Sequence, residues 1–307
     1  MTWDEAVEGF WLARRRDLSE HTMADYGLTF RRFGSWIRNG EVEKVRPRQV
    51  NGFLDHLSEE LELSEKTVLN AWIALSSFWT WATVELRVEH IMRDVRRPDP
   101  KTKVMLPYTE EEVRLLLAAT GMMNAYDRRH ARHVQAPRPT AARDAAILLV
   151  LVDAGLRASE LCDIEMRHYD RKTGRVLIEK GKGRKQRVVY VGQSAQRALW
   201  RYVQRRGTLA ATDPLFESSR RGGPMDRDSL RKLINRLGAR AGVAGATPHR
   251  FRHTFAINFL RNGGNMAALQ DLLGHASMEM VRRYAHLAEV DLQAAQRIAS
   301  PADRWRL

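Results

Sequence analysis

The stretch over residues 247–286 constrains this chain more than any other part of its sequence. Pro248 predicts a helix start, because proline lacks the N–H that the first helical turn leaves unpaired. On that helix His249 and Arg252 are three residues apart, so both side chains project from one face. A Gly-Gly pair further on predicts the end of the helix.

A second short helix is predicted to follow, with its apolar residues facing inward and its end at Gly274. His275 comes directly after that end. Ser277 can cap a third helix, which carries Tyr284 about two turns in. Three short helices therefore present four polar groups: His249, Arg252, His275 and Tyr284.

These residue types suit attack on a phosphodiester. An arginine fork holds two phosphate oxygens at once, and a histidine exchanges a proton near neutral pH. A tyrosine becomes a nucleophile once cations or a base lower its pKa. Taken singly, a helical tyrosine usually packs and a lone histidine is usually a satisfied surface group. It is the combined spacing that favours chemistry.

A second arginine follows a buried helix predicted over residues 140–152. Gly155 ends that helix, and Arg157 follows in the segment GLRASEL, with Glu160 three residues further on. An ion pair with Glu160 is the simplest explanation for an arginine beside an apolar helix.

Residues 176–191 are the one clear β region. The segments RVLIE and QRVVYV flank GKGRK, which predicts a hairpin with a glycine-bracketed turn and Lys182 at its tip. Residues 171–187 hold eight lysines and arginines against one glutamate. The turn lacks the rest of a phosphate-binding loop, so nucleotide hydrolysis is not supported. Considered alone, it is a solvated basic turn.

Together these motifs resemble the tyrosine recombinases, the family of the phage integrases and the bacterial Xer-type enzymes. The C-terminal pattern is H-x-x-R, then L-G-H, then a tyrosine nine residues later, and GLR-x-SEL matches the first family motif. Motifs cover residues 109–286, whereas the N-terminal part is similar only in size and helical content.

The resemblance implies a role for each matching residue. Arg157 and Arg252 would clamp the scissile phosphate, with Glu160 supporting the site from behind. Lys182 would protonate the leaving 5′ oxygen. His249 would manage the tyrosine proton and His275 would bind the phosphate. Tyr284 would attack to give a 3′-phosphotyrosyl link, so the reaction would need no ATP, metal or cofactor.

Composition agrees with a nucleic-acid partner. Lysine and arginine exceed aspartate and glutamate by 14, and the sequence pI is about 10.4, which indicates nucleic acid or an anionic membrane surface as the partner. The longest apolar run, residues 145–152, is too short for a bilayer, and the acidic N-terminus does not resemble a signal peptide. Cys162 is the only cysteine, so no intrachain disulfide can form. We expect a cytoplasmic, nucleoid-associated protein.

The expected fold is mainly α with a small β-sheet. Residues 1–92 read as an N-terminal helical bundle whose tryptophans and phenylalanines form a core. Residues 93–106 read as a basic linker, and residues 107–307 as the catalytic domain with a C-terminal tail helix. The resemblance implies that the bundle is the family's SAM-like domain, which binds the face of double-stranded DNA opposite the catalytic domain.

Residues 121–140 interrupt the pattern as a basic insertion. His130 and His133 could share a metal, but no further ligand follows at a suitable spacing. An exposed loop that contacts DNA or a neighbouring subunit is the better interpretation.

Residues 287–298 form an amphipathic tail, which packs either on its own domain or on a neighbour. The resemblance implies docking in trans within a tetramer on paired DNA sites, with accessory proteins as further partners.

Two other functions remain open. A type IB topoisomerase would use the same chemistry to relax single duplexes. A non-catalytic DNA-binding protein would use only the basic surface, and the complete set of motifs argues against it.

Overall fold

The computed structural model describes residues 1–100, 105–121, 138–179, 186–218, 222–274, 278–288, 300 and 302. The chain divides into two compact units, Met1–Val104 and Met105–Leu307. The fold class predicted from the sequence, mainly helical with a small sheet, is confirmed. Among the described residues, no helix combines the length and the apolar character that a bilayer crossing requires.

The first unit is an all-helical bundle. Its α-helices are α1 (Trp3–Arg14), α2 (Glu20–Trp36), α3 (Pro47–Asp55) and α4 (Glu65–Glu85). The Thr2 hydroxyl and the Glu5 carboxylate form a capping box at the start of α1, and Ser19 and Ser64 cap α2 and α4. Helix α3 ends at Asp55, and the chain continues as a π-helical turn over His56–Glu60.

Aromatic side chains fill the core of this unit. Trp3 is fully buried, its indole N–H donates to the Phe30 carbonyl at 3.0 Å, and its ring lies 4.9 Å from that of Phe33. The prediction that these aromatic residues form a core is confirmed. Beyond α4, a 3₁₀ turn at Ile91–Asp94 leads to Val95, which is buried in the same core.

The second unit holds the remaining elements. Its α-helices are α5 (Glu110–Gly121), α6 (Ala141–Ala154), α7 (Ala158–Cys162), α8 (Gln193–Gln204), α9 (Arg227–Ala241), α10 (Pro248–Arg261), α11 (Met266–Leu273) and α12 (Met278–Ala288). Strands β1 (Arg175–Ile178) and β2 (Arg187–Tyr190) pair antiparallel, with Arg175 opposite Tyr190 and Ile178 opposite Arg187. The predicted hairpin is therefore confirmed in its strands, whereas its tip lies outside the described residues.

Helix α6 is the centre of this unit. Leu148 and Leu151 are fully buried, and α8 and α10 pack against the helix. A smaller apolar cluster joins α10, α11 and α12; its buried members include Ile257, Leu269, Leu273, Val281 and Tyr284. The two clusters together place the end of α6, the start of α10 and the end of α11 around one point.

Candidate active site

The turn between α6 and α7 places the first arginine. Gly155 ends α6 in the left-handed conformation, with φ of 59°, and a Cβ on it would lie 2.2 Å from the Phe255 ring. Arg157 is the N-cap residue of α7, and its backbone N–H donates to Glu160 Oε2 at 2.8 Å. Arg157 Nη1 also donates to Glu160 Oε1 at 2.7 Å, so the predicted ion pair is present. The arginine side chain remains 28% exposed, which leaves it accessible to an anion.

Glu160 is held by a second arginine, which the sequence analysis missed. Arg187 on β2 binds the carboxylate through both amines, Nη1 to Oε1 and Nη2 to Oε2, each at 2.7 Å. Burial raises the pKa of Glu160, but hydrogen bonds from Arg187 and from the Arg157 backbone outweigh it and lower the pKa from 4.5 to about 2. The carboxylate is therefore ionised throughout the neutral range.

Arg252 is the most deeply buried of the arginines that the structure describes. Its Nη1 donates to the Gly155 carbonyl at 2.8 Å and its Nη2 to the Leu273 carbonyl at 2.7 Å. Burial, and then the charge of Arg157, lower its pKa to about 10, so it remains charged at neutral pH. The side chain thus joins the ends of α6 and α11.

The end of α11 lies among three guanidinium groups that bind successive carbonyls. Arg187 Nε donates to Leu272 at 2.8 Å, Arg252 to Leu273 at 2.7 Å, and Arg157 Nη2 to Gly274 at 3.3 Å. The last carbonyls of a helix carry partial negative charge and attract cations. The chain is therefore fixed at the residue before His275, which itself lies outside the described residues.

Tyr284 projects from α12 and is buried in the small apolar cluster, with 7% exposure. Burial raises the pKa of its phenol, and the charges of Arg252 and Arg157 oppose that rise. Burial outweighs the arginine charges, so the pKa of the phenol stays raised, but those charges act in the direction that favours the phenolate, the form that attacks phosphorus.

Two histidines lie on α10, which begins at Pro248, as predicted, and is capped by the Thr247 hydroxyl. His249 keeps an exposed side; partial burial and the charge of Arg252 lower its pKa. His253, one turn further on, was not predicted as a site residue. It is buried, and its ring lies 5.2 Å from that of Tyr284 in an edge-to-face contact.

Burial lowers the pKa of His253, and a hydrogen bond with the Met105 backbone partly offsets this. Its Nε2 is buried and has no hydrogen-bond partner among the described groups. The sequence did contain a signal for this residue, since the i, i+4 spacing from His249 places both on one helix face.

The structure thus brings four of the predicted site residues into one region: Arg157, Glu160, Arg252 and Tyr284. His249 lies on the helix that carries Arg252, three residues before it. Lys182 and the possible metal pair His130 and His133 lie, like His275, outside the described residues.

Comparison with known proteins finds one family in both parts of the chain. Residues 111–290 match the phage integrase family, and residues 7–85 match the phage integrase N-terminal SAM-like domain. The tyrosine recombinase XerC of Pelobacter propionicus is 30% identical over 90% of this chain and 88% of its own length. The tyrosine recombinase XerD of Mycobacterium tuberculosis is 31% identical over 89% of both chains.

A solved structure shares the fold. The Tn1549 transposon integrase, in complex with a circular intermediate DNA, superposes with a TM-score of 0.76 over 92% of this chain and 95% of its own, at 18% identity. The fold is therefore shared with a solved integrase, and the sequence matches the named relatives over about nine tenths of the chain. This chain belongs to the phage integrase family of tyrosine recombinases.

Proposed function

We propose that this chain, a tyrosine recombinase by family, cuts and rejoins double-stranded DNA at specific sites through a link between Tyr284 and a 3′ phosphate. The observation that carries the proposal is the convergence of Arg157 and Arg252 on neighbouring carbonyls at the end of α11, with their charges acting on Tyr284. Two guanidinium groups that bind adjacent carbonyls are close enough to bind one phosphate together.

In the proposed cleavage step the Tyr284 oxygen attacks phosphorus and the bond to the 5′ oxygen breaks. Arg157 and Arg252 bind the non-bridging oxygens and stabilise the charge that builds up in the transition state. His249 takes part in removing the phenol proton, and Lys182 donates a proton to the leaving 5′ oxygen.

The 3′-phosphotyrosyl link keeps the energy of the phosphodiester bond. A 5′ hydroxyl from a second duplex can therefore attack it and release the tyrosine without ATP. Two arginines, a lysine and the two histidines, His249 and His275, supply the charge compensation that a metal ion supplies in other phosphoryl-transfer enzymes.

Duplex DNA is the proposed partner because of the chain's charge and its family. The net charge of +14 gives a polyanion a strong, salt-dependent attraction. The Tn1549 integrase, which shares the fold, was solved with DNA bound. We further propose that four protomers assemble on paired sites, with the C-terminal tail of one docking on the next.

The proposal is tested by incubating the protein with DNA that flanks its own gene and mapping any covalent junction. We expect a 3′-phosphotyrosyl end at defined positions and exchange of strands between two duplexes. Relaxation of single supercoiled circles without exchange would instead identify a topoisomerase activity. Binding without any covalent adduct would identify a DNA-binding protein that does not cut.

A further inference from the structure

Arg187 has a larger part in the site than its place in a basic hairpin indicates. It lies on β2 opposite Ile178, yet its side chain is only 10% exposed and reaches groups on α7 and α11. With the described part of the chain it makes three hydrogen bonds, two to Glu160 and one to the Leu272 carbonyl, none longer than 2.8 Å. A basic residue that merely attracts DNA would project into solvent instead.

We infer that Arg187 is a positioning residue for cleavage, which holds Glu160 by both oxygens so that Arg157 stays available to the scissile phosphate. The inference rests on the proposed function. Arg187 would not contact DNA. It would act only by changing how Glu160 and Arg157 share hydrogen bonds.

The hydrogen bonds around Glu160 support this division. Oε1 accepts from Nη1 of both Arg157 and Arg187, and Oε2 accepts from Arg187 Nη2 and from the Arg157 backbone N–H. Four donors fill the lone-pair sites of a carboxylate. Among the described groups, the Arg157 guanidinium therefore has one contact with the carboxylate, and its other amine makes the 3.3 Å bond to Gly274.

Removal of Arg187 would change that sharing in a defined direction. Two acceptor sites on Glu160 would open beside Arg157, and arginine and carboxylate favour the two-bond, parallel arrangement. Arg157 would turn toward Glu160 and away from the phosphate position. The three arginines and one carboxylate have a net charge of +2. Loss of Arg187 would lower this charge to +1, in a buried site where charge is weakly screened.

The test measures single-turnover cleavage of a nicked half-site duplex that traps the covalent adduct, at saturating DNA. We expect Arg187→Ala to slow adduct formation on the order of 100-fold, the scale for losing one preorganised transition-state contact. Half-site affinity and melting temperature report whether the variant still folds and binds. Arg201→Ala is the matched control, since Arg201 is exposed on α8, and it is expected to cleave like the wild type.

The double variant Arg187→Ala with Glu160→Gln decides the mechanism. A neutral glutamine cannot hold Arg157 by charge and restores the net charge of +2, so cleavage should recover about 10-fold or more over Arg187→Ala. If Arg187 acted only by fixing the end of α11, the double variant would be as slow as the single one or slower. That result would overturn the inference.

Arg187→Lys gives an independent measurement if the double variant does not fold. A lysine keeps the charge but lacks the planar fork that covers both carboxylate oxygens. We expect a cleavage rate between those of the wild type and Arg187→Ala. A rate equal to the wild type would contradict the inference, whereas a wild-type protein that forms no adduct would contradict the proposed function itself.

Discussion

Glu160 is the residue on which the arginines of the site depend. It is almost fully buried, and it binds Arg157 and Arg187 at once. A buried charge that loses its partners is costly, so neither arginine can be removed without consequences for the other. The structure therefore requires this carboxylate to remain ionised and fully hydrogen-bonded.

The low pKa of Glu160 predicts a pH dependence of stability. Its pKa is about 2 in the folded chain against 4.5 ordinarily, so the unfolded chain binds its proton first as the pH falls. The carboxylate therefore adds roughly 3 kcal/mol to the free energy of unfolding above about pH 5, and this is lost as the pH falls toward 2. Thermal melting of the wild type and Glu160→Gln should show a gap that narrows over that range. A gap that stays constant would refute this assignment.

Lys182→Ala tests the proposed general acid. Cleavage should slow roughly 100-fold, the usual scale for losing such a group, while DNA affinity changes little. A substrate with sulfur in place of the bridging 5′ oxygen has a leaving group that needs no proton. It should restore cleavage by the variant. If it does not, Lys182 only contacts phosphate.

The sequence predicted site residues that lie in recognisable motifs, but missed Arg187, whose partner lies far away in the chain, and passed over the helical spacing that links His253 to His249. Arg157 and Glu160 lie three apart in a compact motif, and Arg252 and Tyr284 lie in one stretch. Arg187 meets Glu160 from 27 residues away, on a strand full of other basic residues. No local pattern distinguishes it from its neighbours, so only the folded chain reveals its role.

At the scale of elements, the site is made by helix ends. The carbonyl of Gly155 at the end of α6 accepts from Arg252, and the end of α11 accepts from three arginines. Glycine is needed at both ends, since Gly155 and Gly274 have φ of 59° and 60°. The helix starts and stops were predicted from such residues, whereas the π-helical turn at His56–Glu60 has no comparable sequence signal.

Gly155→Ala should be more destabilising than a change of backbone preference alone. The left-handed conformation costs a non-glycine residue about 1–2 kcal/mol, and overlap with the Phe255 ring adds about 1–3 kcal/mol. Gly242→Ala is the control, because Gly242 ends α9 with φ of 69° and a Cβ there meets no atom within 4 Å. Chemical denaturation of both variants gives the comparison. Equal losses would show that Phe255 yields without cost.

At the scale of the whole molecule, the chain combines a helical bundle with a catalytic unit, each with its own core. The residues that form these cores can be predicted from apolar spacing, because helical periodicity places them on buried faces. The proposed assembly is not encoded so locally, since it would depend on surfaces that a second protomer completes. In the sequence, residues 287–298 carry apolar residues at helical spacing, and we propose that a neighbouring protomer buries them.

Deletion of residues 290–307 tests the role of the tail. If the tail docks on a neighbour, the shortened protein should fold and bind a single half-site nearly as the full chain does. Cooperative binding to paired half-sites and strand exchange should both be lost, because each buried leucine or isoleucine contributes about 1.5–3 kcal/mol to the contact. Gel-shift titration on single and paired sites measures the difference. Undiminished cooperativity would mean that the tail packs on its own domain.

The central claim is that Tyr284 is the nucleophile, and the covalent adduct with DNA tests it most directly. Tyr284→Phe should bind a half-site with unchanged affinity and form no adduct that survives SDS. Tyr190→Phe is the control, since Tyr190 is 58% exposed on β2 and should be dispensable. An SDS-resistant adduct formed by Tyr284→Phe would place the nucleophile elsewhere and contradict the account.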